Sequence, residues 1–272
     1  MSDFWICRTC AVEHDVGARI CSICSDERQY VPAGGQRWAT LEELAAAGYR
    51  AEMRELEPDL FAITTTPEAG IGQQSKLLVT PHGSLLWDPV GFVDDDVVER
   101  ILALGEVRAV AASHPHMFGV QVEWSRRLGG APVLVSAADL EWVARDDEVI
   151  VTWERDLEIL PGVTLSQPGG HFPGSAVAHW AAGADGRGVL LTGDTIFPNP
   201  DRRSVSFMRS YPNRIPLSAA VVQRIARHVE PFAFDRLYGN FDNAIGSDAR
   251  AIVRWSADRH ADWVSGAFDH LT

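Results

Sequence analysis

The stretch VRAVAASHPHMFG, residues 107–119, decides the fold. Residues 107–112 are apolar except for Arg108, which predicts a strand buried within a sheet. The strand leads into Ser113-His114-Pro115-His116, a loop in which a rigid scaffold can hold functional side chains. Two neutral imidazoles at such a position are typical ligands of zinc or iron.

Three further groups of polar residues follow predicted strands or turns. They are Trp87-Asp88-Pro89, Gly169-Gly170-His171 and Thr192-Gly193-Asp194. With nine His in the chain, an H-x-H pair arises by chance in roughly one sequence in four, so the order and context of these groups carry the prediction. We expect one cation to be bound by four of these residues: His114, His116, His171 and Asp194.

All four cysteines lie near the N-terminus, as Cys7-Arg8-Thr9-Cys10 and Cys21-Ser22-Ile23-Cys24. Two C-x-x-C turns separated by a short hairpin can place four thiolates tetrahedrally around a structural zinc ion. Two disulfides, or an iron site of the rubredoxin kind, are the alternatives. We interpret residues 1–35 as a zinc-ribbon module that has a structural role or docks a protein partner or a second copy of the chain.

Residues 36–272 are predicted to form the main domain, since a chain of 272 residues with 46% apolar positions can bury a large core. Thr40 and Glu43 fit a capping box. Alternating strands and helices are expected up to a helix at residues 137–144. From 149–153 onward the pattern indicates short antiparallel strands, before helices return at 217–229 and 249–264.

The net charge of −13 disfavours nucleic acid and anionic membranes as partners. Residues 1–10 have no basic segment followed by an apolar one, so no secretory signal is predicted. No run of residues reaches the roughly 18 apolar positions of a membrane span. A cytoplasmic protein acting on a small molecule is the expectation.

Residues from about 56 to 265 resemble the metallo-β-lactamase superfamily of hydrolases. That family has an Asp closing an early strand, then H-x-H-x-D-H, a lone His, an Asp often preceded by Gly, and a final His. Asp88, the pair at 114 and 116, His171 and Asp194 stand in the same order here. The resemblance implies a mixed α/β, four-layer αββα sandwich with the metal site at one edge.

The departures from the family motif concern one of its two metals. In the family, the H-x-H pair and the lone His hold the first metal, the Asp-His pair and the final His hold the second, and the later Asp usually bridges both. Here Phe118 and Gly119 replace the Asp-His pair, and Asn240 stands where the final His is expected. The resemblance therefore implies a mononuclear site.

His116 and Asp194 are the predicted catalytic residues. Asp194 is either a fourth ligand or the group that holds the attacking water and acts as general base, because Phe118 at the family's usual base position cannot take a proton. Asp88 resembles the family's carboxylate that orients a metal ligand, and a helix or turn cap is its alternative role. The roles of Asn240 and Asp242 stay open.

The loop of residues 198–216 is basic within an acidic chain. We expect it to overhang the site and attract an anionic substrate, with a solvated loop as the alternative. The substrate-binding candidates in it are Arg202, Arg209 and Tyr211.

Three functions are compatible with these residues. The first is a hydrolase with a single catalytic zinc, whose bound hydroxide attacks an ester, thioester, lactone or amide carbonyl. The second is a mononuclear non-haem iron enzyme like the sulfur dioxygenases of the same superfamily. The third is a non-catalytic binding protein with a degenerate site.

Overall fold

The computed structural model describes residues 3–272 and divides into two compact units, one ending at Trp153 and one comprising Glu154–Thr272. Residues 1 and 2 of the predicted ribbon module lie outside the described residues. In the described part of the chain, no helix combines the length and apolar character needed to cross a membrane.

The first unit begins with a small sheet that carries the cysteines. Its elements are β1 (Phe4–Cys7), β2 (Glu13–Asp15), the single turn α1 (Ser22–Ser25) and β3 (Trp38–Ala39). The strands are antiparallel in the order β2-β1-β3. The chain following Cys10 packs so tightly that a side chain on Gly91 would overlap Ala11. The small sheet is therefore fixed against its own unit.

The rest of the first unit is built on a larger sheet. Its elements are α2 (Leu41–Ala46), β4 (Arg50–Glu57), β5 (Leu60–Thr66), β6 (Ser75–Thr80), β7 (Gly83–Trp87), α3 (Asp95–Leu104), β8 (Val107–Ala111), α4 (Gln121–Arg127), β9 (Val133–Ser136) and β10 (Ile150–Trp153). The described strands pair in the order β10-β9-β8-β7-β6-β5-β4. Strands β4 to β7 are antiparallel, and β7 to β10 are parallel.

Three local features of this unit differ from the sequence predictions. Residues 150–153 do not start an antiparallel sheet, because β10 lies parallel to β9 after a crossover through a 3₁₀ helix, Ala137–Trp142, where an α-helix was expected. Strand β4 was not predicted, because it is a charged edge strand in which half of the residues are exposed. The predicted capping box is present: Glu43 N–H donates to Thr40 Oγ1, and Thr40 N–H donates to Glu43 Oε2.

The second unit carries its own sheet. Its elements are β11 (Leu157–Leu160), β12 (Val163–Ser166), β13 (Val177–Trp180), α5 (Gly183–Gly186), β14 (Val189–Leu191), β15 (Phe197–Pro198), β16 (Val205–Ser206), β17 (Met208–Ser210), β18 (Ile215–Pro216), α6 (Ala219–Val229), β19 (Arg236–Tyr238), β20 (Ala244–Ile245) and α7 (Ala249–Val264). The main sheet has the order β11-β12-β13-β14-β19-β20. Its buried apolar side chains pack with those of α6 and α7.

Candidate metal centre

The four cysteines of the first unit come together in a buried cluster. Their Sγ atoms all lie within 4.8 Å of one another. Cys7 Sγ lies 3.7 Å from Cys24 Sγ, and Cys10 Sγ lies 3.6 Å from Cys21 Sγ. A disulfide bond is about 2.05 Å long, whereas four sulfurs around zinc at about 2.3 Å lie ~3.8 Å apart. The alternative of two disulfides is therefore wrong, and the donor set fits one tetrahedral metal ion.

The electrostatics of the cluster favour a bound cation. The pKa of Cys21 lies well below its usual range because the Cys10, Cys24 and Cys7 thiols donate hydrogen bonds to its sulfur. The pKa of Cys10 is raised because its thiol donates to Cys21 and is fully buried. Additional thiolates in so small a volume repel one another unless a metal ion neutralises them.

The first pair of candidate ligands lies at the end of β8, as its sequence predicts. His114 lies three residues after the last residue of β8, in an extended conformation, and His116 follows in a 3₁₀ turn, Pro115–Met117. The two imidazole rings are buried, with centroids 5.1 Å apart in an edge-to-face arrangement. Their separation is set by the sharp turn, which begins at a proline.

Asp88 is linked to His114 through Ser113. The Ser113 N–H donates to Asp88 Oδ1 at 2.6 Å, and Ser113 Oγ lies 2.9 Å from His114 Nδ1. Burial raises the pKa of Asp88 to about 6, and hydrogen bonds from the Ser113 amide and hydroxyl oppose this rise. A partner on Nδ1 fixes the orientation of the ring and makes Nε2 the ligand nitrogen.

Gly119 explains why the motif after His116 cannot be completed. Its φ of +52° is a left-handed conformation. A Cβ at this position would lie 2.0 Å from the carbonyl oxygen of Pro89, which is backbone and cannot move aside cheaply. The neighbouring Phe118 is buried and has no donor atom. The backbone here excludes any side-chain ligand at position 119.

The second unit holds the other pair of candidate ligands. His171 Nδ1 lies 2.9 Å from the carbonyl oxygen of Met208, to which it donates, so Nε2 carries the lone pair. That Nε2 lies 3.6 Å from Asp194 Oδ2, and both side chains are buried. Two ligands at about 2.0–2.1 Å from a tetrahedral ion lie ~3.4 Å apart. The separation therefore suits two ligands of one ion better than a direct hydrogen bond.

Two glycine conformations bring this pair together. Gly170 has a φ of +110°, and a Cβ there would lie 2.5 Å from Ile225 Cδ1 and 3.0 Å from Thr195 Oγ1. Only glycine lets the segment before His171 approach the turn after β14 so closely. Gly193, with a φ of +57°, starts the 3₁₀ turn that carries Asp194.

Asn240 holds the other oxygen of Asp194. Its Nδ2 donates to Asp194 Oδ1 at 3.0 Å, and its side chain is buried. The sequence left the role of Asn240 open. No local pattern indicates that it forms a hydrogen bond with Asp194, which lies 46 positions earlier in the chain. Asp242, the other residue without a predicted role, lies on the loop between β19 and β20.

The three substrate-binding candidates differ in their surroundings. The Tyr211 hydroxyl lies within hydrogen-bond distance of the carbonyl oxygens of Asp194 and Ser206, and its ring centroid lies 6.1 Å from that of His171. Burial and the negative charge of Asp194 raise the pKa of Tyr211 well above its usual range. Arg209 is half-buried in β17, whereas Arg202 is exposed in a turn.

The fold is found in solved metallo-β-lactamases. DIM-1 metallo-beta-lactamase is 11% identical, with a TM-score of 0.57 over 78% of this chain and 97% of that protein. FIM-1 from Pseudomonas aeruginosa, in its mono-zinc form, is 15% identical, with a TM-score of 0.53 over 78% of this chain and 96% of that protein. The family model described as Metallo-beta-lactamase superfamily matches residues 118–239. This chain contains a metallo-β-lactamase superfamily domain.

The match to the metallo-β-lactamase superfamily and the fold shared with these solved structures confirm the fold class expected from the sequence. The matched residues include His171 and Asp194 and begin just after His116. The chain is also similar over nearly its whole length to the uncharacterised protein YmaE of Bacillus subtilis (strain 168), which is 40% identical over 98% of this chain and 99% of its own length. The types of the two residue groups, four Cys and three His with one Asp, fit a zinc ribbon and a metal site.

Proposed function

We propose that this chain is a hydrolase with one catalytic metal ion, and that its ligands are His114, His116, His171 and Asp194. The observation that carries the proposal is the arrangement at Asp194. One carboxylate oxygen accepts from Asn240, and the other faces His171 Nε2 at 3.6 Å.

The surroundings of the histidines support metal binding through Nε2. The Nδ1 atoms of His114 and His171 are engaged by Ser113 Oγ and the Met208 carbonyl oxygen, respectively. Metal-binding histidines in proteins are usually fixed in this way by a partner on the other ring nitrogen. The donor set of three imidazoles and a carboxylate suits zinc, and also iron(II).

Three features support a single ion rather than two. Phe118 offers no donor atom, Gly119 cannot carry a side chain, and Asn240 binds the Asp194 oxygen that would otherwise be available to a second ion. The structural neighbour FIM-1 has been described in a mono-zinc form, so the fold is compatible with one ion.

The proposed reaction is attack of water on a carbonyl carbon of an ester, thioester, lactone or amide. A zinc ion in such a site supplies an activated water near neutral pH and polarises the carbonyl. Asp194 Oδ2 is placed to bind the ion or to accept a proton, while Asn240 keeps the carboxylate from rotating. The Tyr211 hydroxyl, engaged with backbone carbonyls, holds the turn of Asp194 in place.

Hydrolysis of a panel of chromogenic esters, thioesters, lactones and a β-lactam tests the proposal. We expect measurable kcat/KM for at least one class, and a loss on the order of 100-fold or more in His116→Ala, because the ion is worth several kcal/mol to the transition state. His82→Ala is the matched control, since His82 is an exposed histidine in the turn between β6 and β7. It should keep wild-type activity.

Two outcomes would overturn the proposal of a hydrolase. One is equal activity of wild type and His116→Ala. The other is absence of hydrolysis together with oxygen uptake on a persulfide substrate, which would assign the site to iron and a sulfur dioxygenase reaction.

A further inference from the structure

The turn that follows His116 is held by the cysteine-bearing sheet, and the contacts converge on one residue, Glu13 of β2. The Glu13 N–H donates to the Gly119 carbonyl oxygen at 2.9 Å. The Val122 N–H donates to Glu13 Oε1 at 2.6 Å. The main chain and the side chain of Glu13 therefore form hydrogen bonds on both sides of the junction between the 3₁₀ turn and α4.

Helix α4 needs this support because it provides no cap of its own. Its N-cap residue, Val120, makes no side-chain capping bond. The first amides of a helix have no partner within the helix, and an uncompensated buried amide is costly. Glu13 Oε1 satisfies the Val122 amide from a segment 109 residues away, so the ribbon caps the helix that follows the histidine pair.

The carboxylate is neutralised within the same unit. Arg145 Nη1 donates to Glu13 Oε2 at 2.7 Å, and both side chains are buried. The Arg145 guanidinium also lies 4.0 Å from the ring centroid of Phe4 in β1. A buried carboxylate that accepts from both a guanidinium and a backbone amide has few alternative geometries.

We propose that Glu13 is a positioning residue for the metal site: from the cysteine-bearing sheet it fixes the turn of His114 and His116, so that the ribbon supports metal binding. This rests on the proposed function. The ribbon would then have a role within the protein, which is to hold the turn after His116 in place. A second metal ion could not do this, because Phe118 and Gly119 offer it no ligand.

The connection to the cysteines is short. Glu13 lies three residues after Cys10, in the hairpin between the two C-x-x-C turns. The four cysteines would hold both ends of that hairpin when they bind an ion, and the position of Glu13 would then depend on the loaded ribbon. Each site can thereby influence the other through β2.

Hydrogen exchange followed by mass spectrometry, together with zinc affinity of the site by competition with a chelator, tests the proposal on Glu13→Ala and Glu13→Gln. Both are measured at pH 8, above the value of about 7 to which burial raises the pKa of Glu13. Exchange in residues 112–124 should be about 10-fold faster in Glu13→Ala, with site affinity lowered about 10-fold. Glu13→Gln, which keeps the acceptor oxygen, should show smaller changes in the same direction.

Asp26→Asn is the matched control. Asp26 Oδ1 accepts from the backbone amide and the guanidinium of Arg28, so it has the same two kinds of partner as Glu13, but within the ribbon itself. It should leave exchange in residues 112–124 and site affinity at wild-type values.

The outcomes separate this proposal from the proposed function. Wild-type exchange and site affinity in both Glu13 variants would overturn the role of Glu13 and leave the metal site intact. A wild-type chain that takes up no ion beyond that of the ribbon would overturn the proposed function itself.

Discussion

Asn240 Nδ2 lies 3.0 Å from Asp194 Oδ1, to which it donates a hydrogen bond. The hydrogen bond from the Asn240 amide thus engages Asp194 Oδ1, the oxygen that a second metal ion would need as a ligand. Asp194 is left with Oδ2 facing His171. In the proposed site, this contact leaves Asp194 with one oxygen for one metal ion.

Replacing Asn240 by Ala should weaken zinc binding at the site about 10-fold, because the carboxylate of Asp194 loses the donor that orients it. Competition with a chelator measures the affinity. Asn199→Ala is the control, since the amide of Asn199 donates to Ser204 Oγ and not to Asp194. Equal affinities of Asn240→Ala and wild type would show that Asp194 is positioned by other contacts.

Gly119→Ala should destabilise the protein far more than Gly129→Ala. Both glycines have positive φ, so both substitutions carry a strain of about 1 kcal/mol. A Cβ at Gly129 meets nothing within 4 Å, whereas at Gly119 it meets the Pro89 carbonyl, adding about 3 kcal/mol. Urea denaturation measures the difference, and equal midpoints and slopes for the two variants would contradict this geometry.

Asp88 should make a pH-dependent contribution to stability. Its pKa of about 6 in the folded protein is above the ordinary value of 3.8, so the folded state binds the proton more tightly. Stability from this group is fully present below pH 3.8 and is lost as pH rises through 6.

The comparison of His116→Ala with His116→Ala/Asp88→Asn isolates this effect in a site without its metal. Asn tolerates the left-handed φ of +55° at position 88 and keeps the acceptor for the Ser113 amide. Between pH 5 and pH 8, the stability of the variant with Asp88 should fall by about 1.4 kcal/mol relative to the Asn variant. A difference independent of pH would show that Asp88 is ionised throughout this range.

Lys76 is the single lysine of the chain and is 1% exposed, in β6 opposite Trp87. An amine-reactive reagent should therefore modify it only when the first unit opens, at least ~10³-fold more slowly in native protein than in urea. Peptide mass spectrometry measures the modification, and Lys76→Arg identifies the signal. Rapid labelling of native protein would contradict the burial of this side chain.

The sequence predicted the parts of the site that depend on local pattern. The apolar run before Ser113 correctly predicted β8 and the loop that carries His114. The capping residues Thr40 and Glu43 correctly predicted the start of α2. Such features arise from neighbours along the chain, where propensity and spacing are informative. The spacing of the cysteines predicted their cluster for the same reason.

The contacts between distant segments could not be predicted. In the sequence, Glu13 is one of many acidic residues, and only the fold shows that it accepts a hydrogen bond from the Val122 amide. Asn240 looks like a lost ligand, and only the fold shows that it donates a hydrogen bond to Asp194. Strand β10 has the composition of an antiparallel strand, and only its crossover connection makes it parallel. Pairings of this kind leave no trace in composition or periodicity.

Metal counting by elemental analysis tests the central claim, a site for one ion besides the ribbon, most directly. Wild-type protein saturated with zinc and freed of excess should hold two ions per chain, and His114→Ala/His116→Ala should hold one, that of the four cysteines. Three ions in the wild type would contradict the single-ion site. The same count in wild type and variant would contradict metal binding by His114 and His116.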